Sequence, residues 1–122
     1  MNDENQIGKK LFSIFIPTWN NLNFLKLCID SINKNSTYQH EILIHVNDGS
    51  DGTLEWVREQ GIAHTHTAQN VGICHAMNLA RSRAHGRYLM YLNDDMFVSP
   101  NLISRLLARA EAFRSEGIEH FM

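Results

Sequence analysis

The sequence predicts a three-layer α/β/α domain on an open, mostly parallel sheet, and three observations carry that prediction. Short runs with strand character recur at residues 11–16, 41–46 and 88–92, with a weaker one at 62–67. Stretches with apolar residues at helical spacing separate them. Polar, turn-forming clusters follow the first, second and fourth runs. Strands separated by helices return in the same direction through right-handed crossovers. Near-continuous apolar strands belong to sheets covered on both faces.

Taken in order, residues 11–16 form a buried strand by their length and β-branched content, expected to stop at Pro17. Residues 22–32 then place Leu22, Leu25, Ile29 and Ile32 on one helical stripe, widened by Phe24, Leu27 and Cys28. The second strand, 41–46, ends in Asn47-Asp48-Gly49-Ser50-Asp51-Gly52, a dense turn signal. Leu54, Trp56 and Val57 mark a short amphipathic helix closed by Gly61. Beyond the strand at 62–67, residues 72–83 read as a helix with Ile73, Ala76, Met77 and Ala80 on one side, and Gly86 stops it. After the strand at 88–92, a last helix over 100–114 opens on Pro100 and carries Leu102, Ile103, Leu106, Leu107 and Ala110.

A length of 122 residues suits one domain with one modest core. With 43% hydrophobic residues and only 2 prolines, the composition excludes disordered and collagen-like chains. A formal net charge of -2 excludes a general nucleic-acid binder, which needs a basic face. Cys28 and Cys74 lack paired spacing and read as buried small hydrophobes in a reducing compartment. Trp19 and Trp56 read as core or cleft wall. His64, His66 and His75 raise a zinc site, but no cysteine or carboxylate completes a known spacing. No apolar stretch approaches the ~20 residues that span a bilayer. Residues 1–10 are a polar lead without the apolar segment of a secretory signal. The expected location is therefore cytoplasmic, free or at the inner membrane face, and the glycosylation sequon Asn35-Ser36-Thr37 is accidental.

Ligands of open α/β sheets bind beyond the carboxyl ends of the strands, where strand order reverses. The residues past the strands are Thr18-Trp19-Asn20-Asn21, Asn47-Asp48-Gly49-Ser50 and Asn93-Asp94-Asp95. All three clusters are polar and should line one edge. Adjacent carboxylates at Asp94 and Asp95 repel and call for a counter-ion. A hard divalent cation, Mn2+ or Mg2+, takes such oxygen ligands together with substrate phosphates. The plainer alternative is that they start the turn towards Pro100. Asp48 could cap the next helix, accept hydrogen bonds from a nucleobase edge, or shape its turn. No Walker sequence and no G-x-G-x-x-G is present, which leaves metal-mediated phosphate binding.

In three ordered blocks the sequence resembles family 2 of the inverting, metal-dependent glycosyltransferases, with the GT-A fold and its Rossmann-like half. Ser13-Ile14-Phe15-Ile16-Pro17-Thr18-Trp19-Asn20 is similar to the family's opening strand and Pro-Thr-aromatic-Asn turn. Residues 41–46 followed by Asn47-Asp48-Gly49-Ser50-Asp51-Gly52-Thr53 resemble its second strand and Asp-Gly-Ser turn. Asn70-Val71-Gly72, Ala76, Asn78, Ala84, Gly86, Tyr88 and Leu92-Asn93-Asp94-Asp95 resemble the approach to its D-x-D motif.

The resemblance implies a nucleotide-sugar donor, commonly a UDP-sugar, and a glycan, lipid or protein acceptor. It implies that Pro17, Thr18 and Asn20 flank the nucleotide, that Asp48 approaches the base, and that Asn70 and Gly72 lie near base and ribose. Asp95, with Asn93 or Asp94, would meet the metal bridging the diphosphate. Four positions depart from the pattern: Asn47 and Asn93 replace aspartates, Met77 an arginine and Trp19 a tyrosine. In the family the acceptor site and catalytic base follow the D-x-D motif, whereas Glu111, Glu116 and Glu119 read here as a solvated helix face. Residues 11–122 therefore read as a donor-binding domain cut before its acceptor half, with an exposed apolar face that favours homo-oligomers. Two rival readings are a metal-dependent nucleotidyltransferase and a non-catalytic nucleotide-binding or interaction module.

Overall fold

The computed structural model describes residues 12–36 and 39–115. The polar lead 1–10, Thr37 of the sequon, Glu116 and Glu119 lie outside the described residues. Strands and helices alternate throughout: β1 (Phe12–Trp19), α1 (Leu22–Asn35), β2 (His40–Asn47), α2 (Thr53–Glu59), β3 (His64–Thr67), α3 (Gly72–Arg81), β4 (Tyr88–Tyr91) and α4 (Leu102–Ser115). Every strand pairing is parallel, in the order β3-β2-β1-β4. The chain thus winds outward from β1 to β3, then crosses back to lay β4 on the other side of β1. Strand order reverses between β1 and β4, which is where the ligand crevice of such a sheet opens.

The two faces are covered unequally. Ile14, Ile16, Ile44 and Val46 face a large core filled by Leu25, Cys28, Ile29 and Ile32 of α1, Val57 of α2 and Ile103 of α4. On the opposite face Phe15 packs against Ala76 and Ala80 of α3, whose small side chains let the helix lie close to the sheet. In parallel register Leu89 and Tyr91 sit beside Ser13 and Phe15 and share their face. They are 43% and 37% exposed, because α3 packs over β1, β2 and β3 and leaves β4 open on that side.

Three sequence expectations need correction. β1 does not stop at Pro17 but runs on to Trp19. Leu92 N–H donates to Phe15 C=O, so Phe15 turns its backbone towards β4, and Pro17, two residues on, does the same. The β4 pairing has ended by then, so the missing proline N–H forfeits no ladder bond. Cys28 is buried but Cys74 is exposed. With Ile73 it lies in the first turn of α3, which begins just past the end of the sheet, and Ile73 is itself exposed. Trp19, Phe24 and Leu27 are exposed too: only Leu25, Cys28, Ile29, Ser31 and Ile32 of α1 face the core.

The amino edge of the sheet is locked by a polar cluster. Ser13 Oγ donates to Glu41 Oε2 at 2.6 Å and accepts Gly86 N–H at 2.7 Å. His85 adds its backbone N–H and, at 3.3 Å, its ring to the same carboxylate. Burial pushes the Glu41 carboxyl up, but the bonds from Ser13 and His85 outweigh it and hold the group below its ordinary value. The chain enters β4 past Gly86, where an added Cβ would lie 2.5 Å from the backbone nitrogen of Ser13.

Candidate functional site

Three loops meet at the carboxyl edge: residues 20–21 after β1, 48–52 after β2, and 92–98 after β4. Asn20 and Asp48 both adopt positive φ, 48° and 60°, a strained choice for residues other than glycine. Their side chains hold each other there. Asn20 Nδ2 donates to Asp48 Oδ2 at 3.1 Å, while Asn20 Oδ1 accepts Gly49 N–H at 2.9 Å. Gly49 is required next to them, since φ is +88° and a Cβ would lie 2.7 Å from Val46 Cγ1. The bond from Asn20 and then those from Ser50 hold the Asp48 carboxyl below its ordinary value. His66 Nε2–H donates to Asp48 C=O at 2.8 Å and fixes the turn from the β3 side.

Asp51 supports this loop by capping two helices. Its Oδ2 accepts Leu22 N–H at 3.2 Å, at the start of α1, where Asn21 makes no side-chain cap. Its Oδ1 accepts Thr53 N–H at 3.0 Å and Thr53 Oγ1–H at 2.6 Å, at the start of α2. Orphan amides and the positive end of the helix dipole favour a carboxylate in both places.

The acidic loop after β4 is held from two sides. Thr18 Oγ1 donates to Asp94 Oδ2 at 2.7 Å, bridging β1 and the loop after β4 at the strand-order reversal. Behind it, one polar stripe of α1 binds the loop backbone. Cys28 Sγ donates to Asn93 C=O at 3.6 Å, Ser31 Oγ accepts Val98 N–H at 3.0 Å, and Asn35 Nδ2 donates to Val98 C=O at 2.8 Å. Burial and the nearby Asp94 push the Cys28 thiol up to about 11, so it stays protonated and serves as a donor. Tyr91 Oη–H donates to Asn93 Oδ1, and burial followed by Asp94 and Asp95 raises that phenol.

The structure therefore brings Thr18, Asn20, Asp48 and Asp94 into one hydrogen-bonded edge, with Pro17 half-buried beside Thr18. Asn70 Oδ1 accepts Gly72 N–H at 3.0 Å, an Asx turn that starts α3 at the same edge. Asn93 and Asp95 are exposed on the acidic loop. Sequence reasoning missed the α1 stripe and the double cap at Asp51. Polar residues at 31 and 35, three and seven positions after Cys28 on a core-facing stripe, were the available signal.

Asp48, Asp94 and Asp95 have no basic partner among the described residues, whose ion pairs are Lys34–Asp30 and His85–Glu41. The donor set suits a hard cation: carboxylate oxygens at Asp95 and Asp94, with Asn93 Oδ1 already accepting from Tyr91. No group of three or more His, Cys, Asp or Glu able to hold a metal exists among the described residues. A divalent ion here would thus need phosphate and water oxygens to complete its shell, as Mg2+ commonly does.

An open parallel α/β sheet with an acidic loop at its switch point is a class of fold that places its ligands at this edge. Residues 13–118 match Glycosyl transferase family 2, and the chain belongs to that family. It is 33% identical over 102 residues to the chondroitin synthase of Pasteurella multocida (strain Pm70), covering 80% of this chain and 10% of that protein. The fold matches TarS of S. aureus with a TM-score of 0.74 at 18% identity, covering 85% of this chain and 33% of that one. TarS has also been crystallised in complex with UDP-GlcNAc. The mannosyltransferase PcManGT of Pyrobaculum calidifontis, in complex with GDP-Man and Mn2+, matches with a TM-score of 0.70 at 19% identity, over 84% of this chain and 32% of that one. The chain spans a tenth of the first relative's length and about a third of each structural neighbour. The chain is thus a family 2 domain with the GT-A fold, and no described helix is long and apolar enough to cross a membrane.

Proposed function

We propose that this chain binds a nucleoside diphosphate sugar, a UDP-sugar, at the carboxyl edge of its sheet and presents the sugar for transfer with inversion. The observation that carries the reading is the Thr18–Asp94 bond, which closes the acidic loop onto the end of β1. In it, Pro17, Thr18 and Asn20 border the nucleotide, Asp48 meets the base, and Asn70 and Gly72 lie by base and ribose. Asp95, with Asn93 or Asp94, would hold Mn2+ or Mg2+, and the ion would supply neutralisation of charge on the diphosphate. This chain's own residues supply positioning: two loops tied together by side chains fix where the donor sits.

The acceptor is a glycan, lipid or protein on this reading, and its site and the base that takes its proton lie outside the described residues. Past Met96 the single described carboxylate is Glu111, whose Oε1 accepts Tyr88 Oη–H at 2.9 Å. The open face at Leu89 and Tyr91 is then the surface for the acceptor-binding part or for a second copy. The protein acts in the cytoplasm or at the inner membrane face. A second reading is a non-catalytic donor-binding module, because Glu111 is the single carboxylate that follows Met96 among the described residues.

Two measurements test the proposal. NMR titration with UDP and Mg2+ should move the amides of Thr18, Asp48, Gly72 and Asp94 together, and shifts confined elsewhere would reject the site. Incubation with a labelled UDP-sugar and candidate acceptors separates the two readings: transfer supports the enzyme, and binding without turnover supports the module.

A further inference from the structure

We propose that Asn47 is the positioning residue of the donor site, tying its three walls together with one side-chain amide. The inference rests on the donor reading above. Asn47 is the last residue of β2 and is 4% exposed. Its Nδ2–H donates to Thr18 C=O at 3.1 Å, on the neighbouring strand. Its Oδ1 accepts Val71 N–H at 3.0 Å, in the loop that starts α3, and lies 3.3 Å from Thr67 Oγ1 at the end of β3. One planar group thus spans β1, β2, β3 and the start of α3. Thr18 is also the donor to Asp94, so the same chain of bonds continues into the acidic loop after β4.

The two ends of the amide do opposite work. Thr18 presents an acceptor and Val71 a donor, so a group with both functions is needed in a place closed to water. Aspartate has the same shape but two acceptor oxygens. An ionised carboxylate at position 47 would keep the Val71 bond and set a negative oxygen against the Thr18 carbonyl. Once protonated, it could again donate to Thr18. Asn47→Asp therefore converts a silent structural tie into one that titrates.

The titratable groups around this position are His45, two residues back on β2 and buried, His66 on β3 and His75 on α3 near that ring, Asp48 in the turn, and Asp94 through Thr18. Every variant value is taken as a ratio to wild type at the same pH.

The test has a ligand-free arm and a binding arm. The Trp19 amide shares its peptide group with the Thr18 carbonyl and reports the tie by 1H–15N NMR. In Asn47→Asp at pH 8 the Trp19 and Asp94 amides should shift, returning towards wild-type positions as the pH falls to 5.5. In Asn47→Ala they should shift at both pH values, and Val71 should shift with them. By calorimetry with UDP and Mn2+, Asn47→Asp should bind about tenfold more weakly than wild type at pH 8, with the ratio closing at pH 5.5. Asn47→Ala should stay weak throughout. If the aspartate variant gives no dispersed spectrum, Asn47→Ser, too short to reach both partners, replaces it and should be weak at both pH values. Wild-type affinity with unmoved Trp19 and Asp94 amides in the aspartate variant would overturn the proposal. Amide shifts as expected, but no nucleoside diphosphate bound by the wild type, would overturn the donor reading and the role with it, leaving only a structural tie.

Discussion

Thr18 Oγ1 donates to Asp94 Oδ2 at 2.7 Å across 76 positions of sequence, and this bond joins the end of β1 to the acidic loop after β4. Thr18→Val keeps the shape and removes the donor. Thr18 is 2% exposed, so the lost partner is not replaced by water. We expect a stability loss of about 1 kcal/mol and roughly tenfold weaker metal-dependent UDP binding, with Thr18→Ser close to wild type. Calorimetry on both variants checks this, and equal affinity in Thr18→Val would disconnect the bond from the site.

Asp51 serves two helix starts at once, so Asp51→Ala should cost about 1–2 kcal/mol in urea denaturation. The pH dependence has a definite sign. Burial pushes the Asp51 carboxyl up, but the bonds from Thr53 and Leu22 hold it below its ordinary value in the fold. Its contribution is therefore complete above the ordinary aspartate value and is lost as the pH falls through the depressed folded one. The gap between wild type and Asp51→Asn should be constant from pH 7 to about 5 and close in stronger acid.

Ser31→Ala removes the acceptor of Val98 N–H at a site where Ser31 is 4% and Val98 1% exposed. An orphaned buried amide costs about 1–3 kcal/mol. Hydrogen exchange should speed up at Val98 and across residues 93–98, while β2 and β3 stay protected. Uniform acceleration across the sheet would mean that α1 does not hold this loop in particular.

Gly86→Ala places a Cβ 2.5 Å from Ser13 N and 2.7 Å from Phe12 C, both backbone atoms that cannot swing aside. β4 must retreat from β1, at about 1–3 kcal/mol by thermal or urea denaturation. A neutral result would show that the amino edge of β4 is looser than the Ser13–Glu41–His85 cluster implies.

Much of the fold was legible because strand and helix patterns are local. Ile14, Ile16, Ile44 and Val46 read as strand from their neighbours alone, and all occupy the core. The passage of β1 through Pro17 was not legible, because it depends on where β4 stops beside it. The exposure of Cys74 and Ile73 likewise depends on where the sheet ends beneath α3. At the edge, Thr18, Asp48 and Asp94 could be named because they follow apolar runs. The roles of Asn47, Ser31 and Asp51 could not, since each is defined by partners distant in sequence, such as Thr18 29 positions before Asn47. Asn47 looked like a lost carboxylate; in the fold its amide uses both ends.

Calorimetric titration of UDP with and without Mn2+ is the decisive measurement for a metal-dependent nucleotide site at Asp95. Asp95 is exposed and forms no hydrogen bond or ion pair within the described residues, so Asp95→Ala should leave the thermal midpoint unchanged. A donor site at Asp95 gives Mn2+-dependent binding in the wild type and at least tenfold weaker binding in Asp95→Ala. Binding that ignores both the metal and the substitution, or no binding of any nucleoside diphosphate, would contradict it.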